Sequence, residues 1–173
     1  MEPVVFTAAV DTVAGARVAF DRVVPRDDSD LFTGYLVLPA VTGVTDQTGP
    51  WTIPGSRRTV HLSDGGTFHE HLLHHTPPPP ATPAGSGGDG SEAGVGVFDY
   101  RVTDFTGALS HLVSEATARW RYEPTPTGSR IRWTYEYVPL PRRRFVVERL
   151  IGPIWRRYMT RSLAVCARVA EGG

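Results

Sequence analysis

The segment SEATARWRY (Ser114–Tyr122), the turn EPTPTG (Glu123–Gly128) and the segment SRIRWTYEYV (Ser129–Val138) decide how this chain folds. In both segments the side chains alternate with a period of two. Ala116, Ala118, Trp120 and Tyr122 share one face, as do Ile131, Trp133, Tyr135 and Tyr137. Thr117, Arg119, Arg121, Arg132, Thr134 and Glu136 occupy the other. That is the pattern of two antiparallel strands with one buried and one wet face, joined around Pro-Thr-Gly. From Arg142 to Ala170 the period becomes helical. Trp155, Tyr158, Met159, Ser162, Cys166 and Val169 fall on one side and Arg157, Arg161 and Arg168 on the other, so an amphipathic helix lays its apolar face on the sheet. Gly152-Pro153 should kink or break that helix.

Upstream, Val4–Thr12 reads as a strand and Ala14–Val24 as a short helix with Val18, Phe20 and Val23 as apolar contacts, ended by Pro25. Ser29 or Asp30 caps a second helical turn carrying Leu31, Phe32 and Tyr35, before a strand-like stretch from Val37 to Thr45. Arg57–Leu62 and Thr67–His75 form a hairpin around Asp64-Gly65-Gly66, and Val95–Val102 is a further strand. Residues 76–94, with five Pro and five Gly, form a loop inserted within one domain spanning 1–173.

A length of 173 residues with 40% hydrophobic content suits one domain with a real core. The 18 basic residues, all arginine, balance 18 acidic ones, which argues against a dedicated nucleic-acid binder or a polybasic membrane protein. An all-arginine set is what a GC-rich genome produces; bidentate anion recognition is the alternative. Charge is nonetheless segregated, with Arg119, Arg121, Arg130 and Arg132 on one strand-pair face and Arg142–Arg144, Arg157, Arg161 and Arg168 on the helix. Cys166 stands alone, so no internal disulfide forms, and a reducing compartment is expected. The N-terminus has no signal-peptide pattern and no long apolar run occurs, so the expectation is a soluble, cytoplasmic protein, monomer or homodimer, with no membrane span. There is neither a Gly-rich phosphate loop nor a Gly-x-Ser-x-Gly elbow, which disfavours nucleotide use and serine-hydrolase chemistry.

The element order, together with the Arg57–Leu72 hairpin, the Gly128–Tyr135 strand and the Gly152–Met159 helix start, resembles the START-like (Bet v 1-like, SRPBCC) superfamily, in its polyketide cyclase/dehydrase and lipid-transport branch. The resemblance covers nearly the whole chain and carries no catalytic signature. It implies an α+β helix-grip fold: a curved antiparallel sheet of six to seven strands wrapped around a long C-terminal helix, with two short helices after the first strand. Between sheet and helix it implies an apolar cavity and no cofactor.

Inward-facing residues are then the candidate ligand contacts: Trp51, Val60, Leu62, Phe68, Leu72, Phe98, Trp120, Trp133, Tyr137, Trp155, Tyr158 and Met159. For aromatics, core filling is the competing role. The polar candidates are Glu70, Tyr135, Tyr100 and Arg58. A three-residue loop pairs Ser63 with Thr67, Leu62 with Phe68, Val60 with Glu70 and Arg58 with Leu72, placing Glu70 on the apolar face; a two-residue Asp-Gly turn places His69 and His71 there instead. The first collects the apolar side chains and is preferred. A carboxylate there is raised in pKa by desolvation and suited to proton transfer, unless Arg58 joins it in a silent ion pair. Tyr135 or Tyr100 then donates to a carbonyl or enolate.

His61, His69 and His71 sit on the other face, His61 across from His69, and are read as solvent-exposed rather than as a metal site; His74 and His75 lead into the loop. Trp51 either closes the cavity mouth or packs on its rim. Arg142, Arg143 and Arg144 oppose the helix dipole, which suits an acidic acyl carrier protein as partner. The resulting expectation is a polyketide cyclase-like protein that binds a hydrophobic or polyketide-like small molecule. Two rivals are a non-catalytic carrier of a lipid or hydrophobic metabolite, and an interaction protein whose cavity is packed shut by Trp120, Trp133 and Tyr135.

Overall fold

The computed structural model describes residues 2–24, 33–36, 38–80 and 94–173. Its elements are β1 (Val4–Thr12), α1 (Ala16–Val23), β2 (Val41–Thr45), β3 (Arg57–Leu62), β4 (Thr67–Thr76), β5 (Gly96–Thr103), a 3-10 turn (Gly107–His111), β6 (Val113–Thr125) and β7 (Gly128–Pro139). A helical run follows: α2 (Arg144–Val146), a π-helical segment (Val147–Ile151) and α3 (Gly152–Glu171). The strands form one antiparallel sheet in the order β1-β7-β6-β5-β4-β3-β2, and α3 packs its apolar side against it. This is the expected α+β helix-grip architecture. The anticipated cap and first residues of a second short helix, 29–32, lie outside the described residues. Tyr35 is described and forms an isolated bridge with Leu38. Most of the Pro/Gly-rich stretch, 81–93, is likewise outside them.

Burial follows the alternation in β6 and β7, where Ala116, Ala118, Trp120, Tyr122, Ile131, Trp133, Tyr135 and Tyr137 are all buried. Register makes this face hollow. One row across the sheet runs Glu70–Val102–Ala116–Tyr137 and the next Leu72–Tyr100–Ala118–Tyr135. Two alanines in mid-sheet, between larger side chains on both sides, leave a trough under α3. On α1 the buried set is Ala16, Ala19, Phe20 and Val23, while Val18 is 43% exposed. The expectation for Val18 is corrected because an i, i+3, i+4, i+7 stripe through Phe20 and Val23 excludes it.

Gly152-Pro153 does not break the terminal run. The disturbance is taken up as the π-helical segment, in which Gly152 N–H donates to Val147 O, five residues back. Glycine is needed there for a packing reason: a Cβ would lie 2.9 Å from the Phe6 ring, so the start of α3 rests its backbone on that β1 side chain. The helix begins at Arg144 rather than Arg142, which holds φ 65°.

A bulge at Leu73 shifts the parity of β4. His74 pairs outward with the buried Asp99 (3.2 Å), and His75 turns inward, edge-on to Phe20 and Phe98. Both histidines therefore belong to a strand, not to the loop. Burial lowers the pKa of His75, and burial together with the nearby Arg57 and Arg101 charges lowers that of His71. The folded state thus binds these protons less readily than the unfolded chain. The stability this brings is complete above the ordinary value of 6.5 and is lost as pH falls below it. Urea midpoints measured from pH 8 to 5 should decline, and His75→Phe should decline less. An equal slope in that variant would assign the acid sensitivity elsewhere.

The outer face of the sheet corrects the expected basic strand surface. Arg119 pairs with Glu136, Arg121 with Asp99, Arg130 with Asp11 and Arg132 with Glu123, so each guanidinium is neutralised. The helical run differs. Arg144 pairs with Glu148, but Arg142, Arg143, Arg149, Arg156, Arg157, Arg161 and Arg168 make no ion pair among the described residues.

Candidate functional site

The β3–β4 hairpin places the polar centre of the trough. Its pairing is Arg58↔Glu70, Val60↔Phe68 and His61↔Thr67, two residues away from the expected register. The loop sits one residue earlier than expected: Leu62 N–H donates to Gly66 O and Gly65 N–H to Leu62 O, so Ser63-Asp64-Gly65 makes the turn, and Asp64 Oδ1 accepts from Gly66 N–H. Because side-chain direction has a period of two, a shift by two leaves Glu70 on the inner face. What changes is its neighbour, since Arg58 now lies directly opposite. Arg58 Nε and Nη2 donate to the same Glu70 oxygen at 2.7 and 2.6 Å, with 6% and 4% of the two residues exposed. The Arg58 guanidinium lies 4.1 Å from the Trp51 ring centroid. The Trp51 loop is fastened to β4, with Gly55 N–H on Leu72 O and Leu72 N–H on Ser56 O.

The trough closes into a cleft of about 70 Å³. Among the described residues Glu70 is the only acidic side chain in its wall, facing Tyr100, Tyr135, Tyr137 and Tyr158, with Trp133 and Trp155 beside them. Apolar rim residues come from Leu38, Pro39, Val41, Leu62, Phe68, Phe105 and Leu109. Burial pushes the Tyr135 phenol well above its ordinary pKa, with Tyr100, Glu70 and Tyr158 adding to the effect; Tyr137 is raised by burial, Tyr135 and Tyr158. These hydroxyls stay protonated and serve as donors. Trp155 Nε1 is buried and has no hydrogen-bond partner among the described residues, so it is a further donor in a cleft-lining side chain.

Of the residues singled out from sequence, the cleft brings together Glu70, Tyr100, Tyr135, Leu62, Phe68, Trp133, Tyr137, Trp155 and Tyr158. Arg58, Trp51, Val60, Leu72, Phe98, Trp120 and Met159 do not line it. Arg58 and Trp51 stand behind Glu70, and Trp120 stacks behind Trp133 with ring centroids 4.6 Å apart. Val60, Leu72, Phe98 and Met159 are buried core. Sequence reasoning missed Leu38, Pro39, Val41, Phe105 and Leu109. The signal was there for Phe105 and Leu109, apolar residues in a short connection where nothing local buries them.

The outer histidines do not converge. His61 faces Thr67, His69 faces Thr59, and His69 and His71 bond to Asp104 and Thr103. No group of three or more metal-ligating side chains gathers among the described residues. No described helix is long and apolar enough to cross a membrane.

The family model described as polyketide cyclase/dehydrase and lipid transport matches residues 4–171. The chain belongs to that family. No curated protein matches it in sequence. Among solved structures, this family member superposes on the ZhuI aromatase/cyclase from Streptomyces sp. R1128 with a TM-score of 0.64 at 13% identity, covering 98% of this chain and 94% of that one. Norcoclaurine synthase from Thalictrum flavum gives a TM-score of 0.60 at 16% identity, covering 99% and 98%. Ara h 8.0201 gives 0.54 at 13%, covering 95% and 97%. At such identities the likeness establishes the shared fold. Family membership places this chain among START-like small-molecule-binding proteins.

Proposed function

We propose that the cleft binds an apolar, oxygenated small molecule of polyketide type and promotes its cyclisation by proton transfer. The observation that carries this reading is a carboxylate, Glu70, at the wall of an aromatic cleft whose other polar groups are donors. Such a wall matches a substrate that presents an acidic C–H or O–H and one or more carbonyl oxygens. Glu70 takes the α-proton of one carbonyl, and Tyr135 or Tyr100 donates to the enolate oxygen. The enolate carbon attacks a second carbonyl of the same chain, forming one C–C bond. The alkoxide so formed takes the proton back from Glu70, and loss of water then gives the unsaturated ring. Arg58 holds the carboxylate in place from behind, without itself lining the cleft. Folding a flexible chain into one geometry supplies much of the advantage.

A second reading, a non-catalytic carrier of a lipid or hydrophobic metabolite, is favoured by the same ion pair, because Arg58 compensates the acid and leaves no uncompensated buried charge. The free space of about 70 Å³ is well below the roughly 300–1,000 Å³ of drug-sized sites, so either ligand enters as the rim spreads. The partner surface expected at the helix start is narrower than the sequence suggested, since Arg144 is engaged by Glu148 and by Glu2 O; Arg142 and Arg143 remain to meet an acidic carrier protein.

Glu70→Gln separates the two readings. With a poly-β-ketone substrate, turnover should fall by about 10²–10⁴-fold while binding changes little, the span expected of a positioned general base. Unchanged turnover would remove Glu70 from the chemistry. Native mass spectrometry of the purified protein identifies any ligand that co-purifies.

A further inference from the structure

A groove beside α3 is roomier than the cleft, at about 240 Å³ against 70 Å³. Its walls include Thr33 and Gly34 on one side and Arg161, Ser162 and Arg168 on the other, and among the described residues no carboxylate lines it. Tyr158 lines both this groove and the cleft. The turn that carries Thr33 and Gly34 continues to Leu38 and Pro39 on the cleft rim, and a Cβ at Gly34 would lie 2.9 Å from the Ala40 nitrogen. Tyr158 and this turn therefore border both spaces.

The two guanidiniums are oriented, and no carboxylate among the described residues compensates them. Arg161 lies over the Tyr35 ring at 5.0 Å, and Arg168 follows seven residues later on the same side of the helix, about 10 Å further along its axis. Neither makes an ion pair among the described residues, while the cations of the outer sheet face are matched with carboxylates. A guanidinium is a planar fork of donors suited to phosphate oxygens. Two of them beside a small, polar floor leave room for a multiply charged headgroup and attract no ammonium.

We propose that this groove is a phosphate-headgroup site, and that the ligand of the cleft is an amphiphile with a phosphate at its polar end. The proposal rests on the cleft being the binding site. Its apolar end occupies the cleft and its phosphate bridges Arg161 and Arg168. The site lies roughly 30 Å along the helix from Arg142, so it does not depend on a partner docking at the helix start.

Quenching of the cleft tryptophans, Trp133 and Trp155, reads occupancy. Three chain-matched probes are compared below their micelle concentrations: dodecyl phosphate, laurate and 1-lauroylglycerol. Dodecyl phosphate should bind about tenfold or more tighter than the glycerol ester, as expected for charge-assisted pairs. The double variant Arg161→Gln/Arg168→Gln should erase that preference and leave 1-lauroylglycerol binding unchanged. Arg157→Gln, on the same helix but outside the groove, should preserve it. Equal affinity for dodecyl phosphate and 1-lauroylglycerol overturns the headgroup site and leaves the cleft standing. Laurate binding as tightly as dodecyl phosphate overturns the assignment to phosphate. A preference that survives the double variant, or falls equally in Arg157→Gln, overturns the groove as its source. No quenching by any probe overturns the cleft reading and this one with it. Lauroyl lysophosphatidate and lauroyl phosphopantetheine then distinguish a lipid from a carrier-arm source, and both should weaken in the double variant.

Discussion

Arg58→Met is expected to cost about 3–5 kcal/mol of unfolding free energy, the range for breaking one partner out of a buried ion pair. A domain with only about 5–15 kcal/mol in hand would be left marginal. The loss comes from Glu70, whose carboxylate would stay behind on an inner face where 4% of the residue is exposed. The double variant Arg58→Met/Glu70→Leu should recover most of it, because no charge is then buried and the new side chains join Val60, Phe68 and Leu72 on the same face. Arg119→Met is the comparison. It breaks the Arg119–Glu136 pair, whose side chains are 44% and 25% exposed, and should cost less than about 1 kcal/mol. Urea unfolding of the four proteins measures the difference. A cost at Arg58 no larger than at Arg119 would show that water reaches Glu70, and the account of a buried ion pair would fail.

That pair also shows how far the chain could be read without its structure. The inner face of Glu70 was legible because hydrophobic alternation fixes parity, and parity survives a shift of two. The opposite residue was not legible. It depends on where the three-residue loop is placed, which the Asp64 side chain and the Leu62–Gly66 hydrogen bond set, and no periodicity encodes those contacts. His75 failed for a related reason: one extra residue at Leu73 reverses every later position of β4, and a bulge of this kind leaves no mark in the alternation.

Charges were the least legible. Arg121 and Asp99 are 22 residues apart yet meet across β5 and β6, with Arg121 Nη2 donating at 3.2 Å, and Arg130 meets Asp11 across the closing pair β1–β7. Counting basic residues along a strand therefore overstated the positive surface there. On α3, Arg157, Arg161 and Arg168 meet no carboxylate among the described residues, and the sequence pattern carried over unchanged. The cleft rim fell between these cases, since Leu38, Phe105 and Leu109 belong to connections whose partners are set by the fold.

Trp133→Ala should destabilise by about 3–5 kcal/mol and at the same time enlarge the cleft. Trp133 is 1% exposed, stacks on Trp120 at 4.6 Å, meets Trp155 and Tyr135 edge-on at 5.8 Å and lies 6.4 Å from the Tyr158 ring, so its removal strips contacts from four aromatic neighbours. Neighbours held by a continuous sheet collapse only in part, and the space left behind opens onto the 70 Å³ already present. The two effects carry opposite signs in the presence of a ligand. Naphthalene, an apolar probe with no polar group to place, should raise the melting temperature of Trp133→Ala more than that of the unaltered protein, since binding only the folded state adds stability by mass action. Trp120→Ala is the control: it is buried to a similar degree but lies behind Trp133, outside the cleft wall, and should lose stability with little gain from the probe. If Trp133→Ala is destabilised and naphthalene rescues it no better than Trp120→Ala, the aromatic wall is core alone. The narrow cleft would then be a packing remnant, with Glu70 facing a space that takes no ligand.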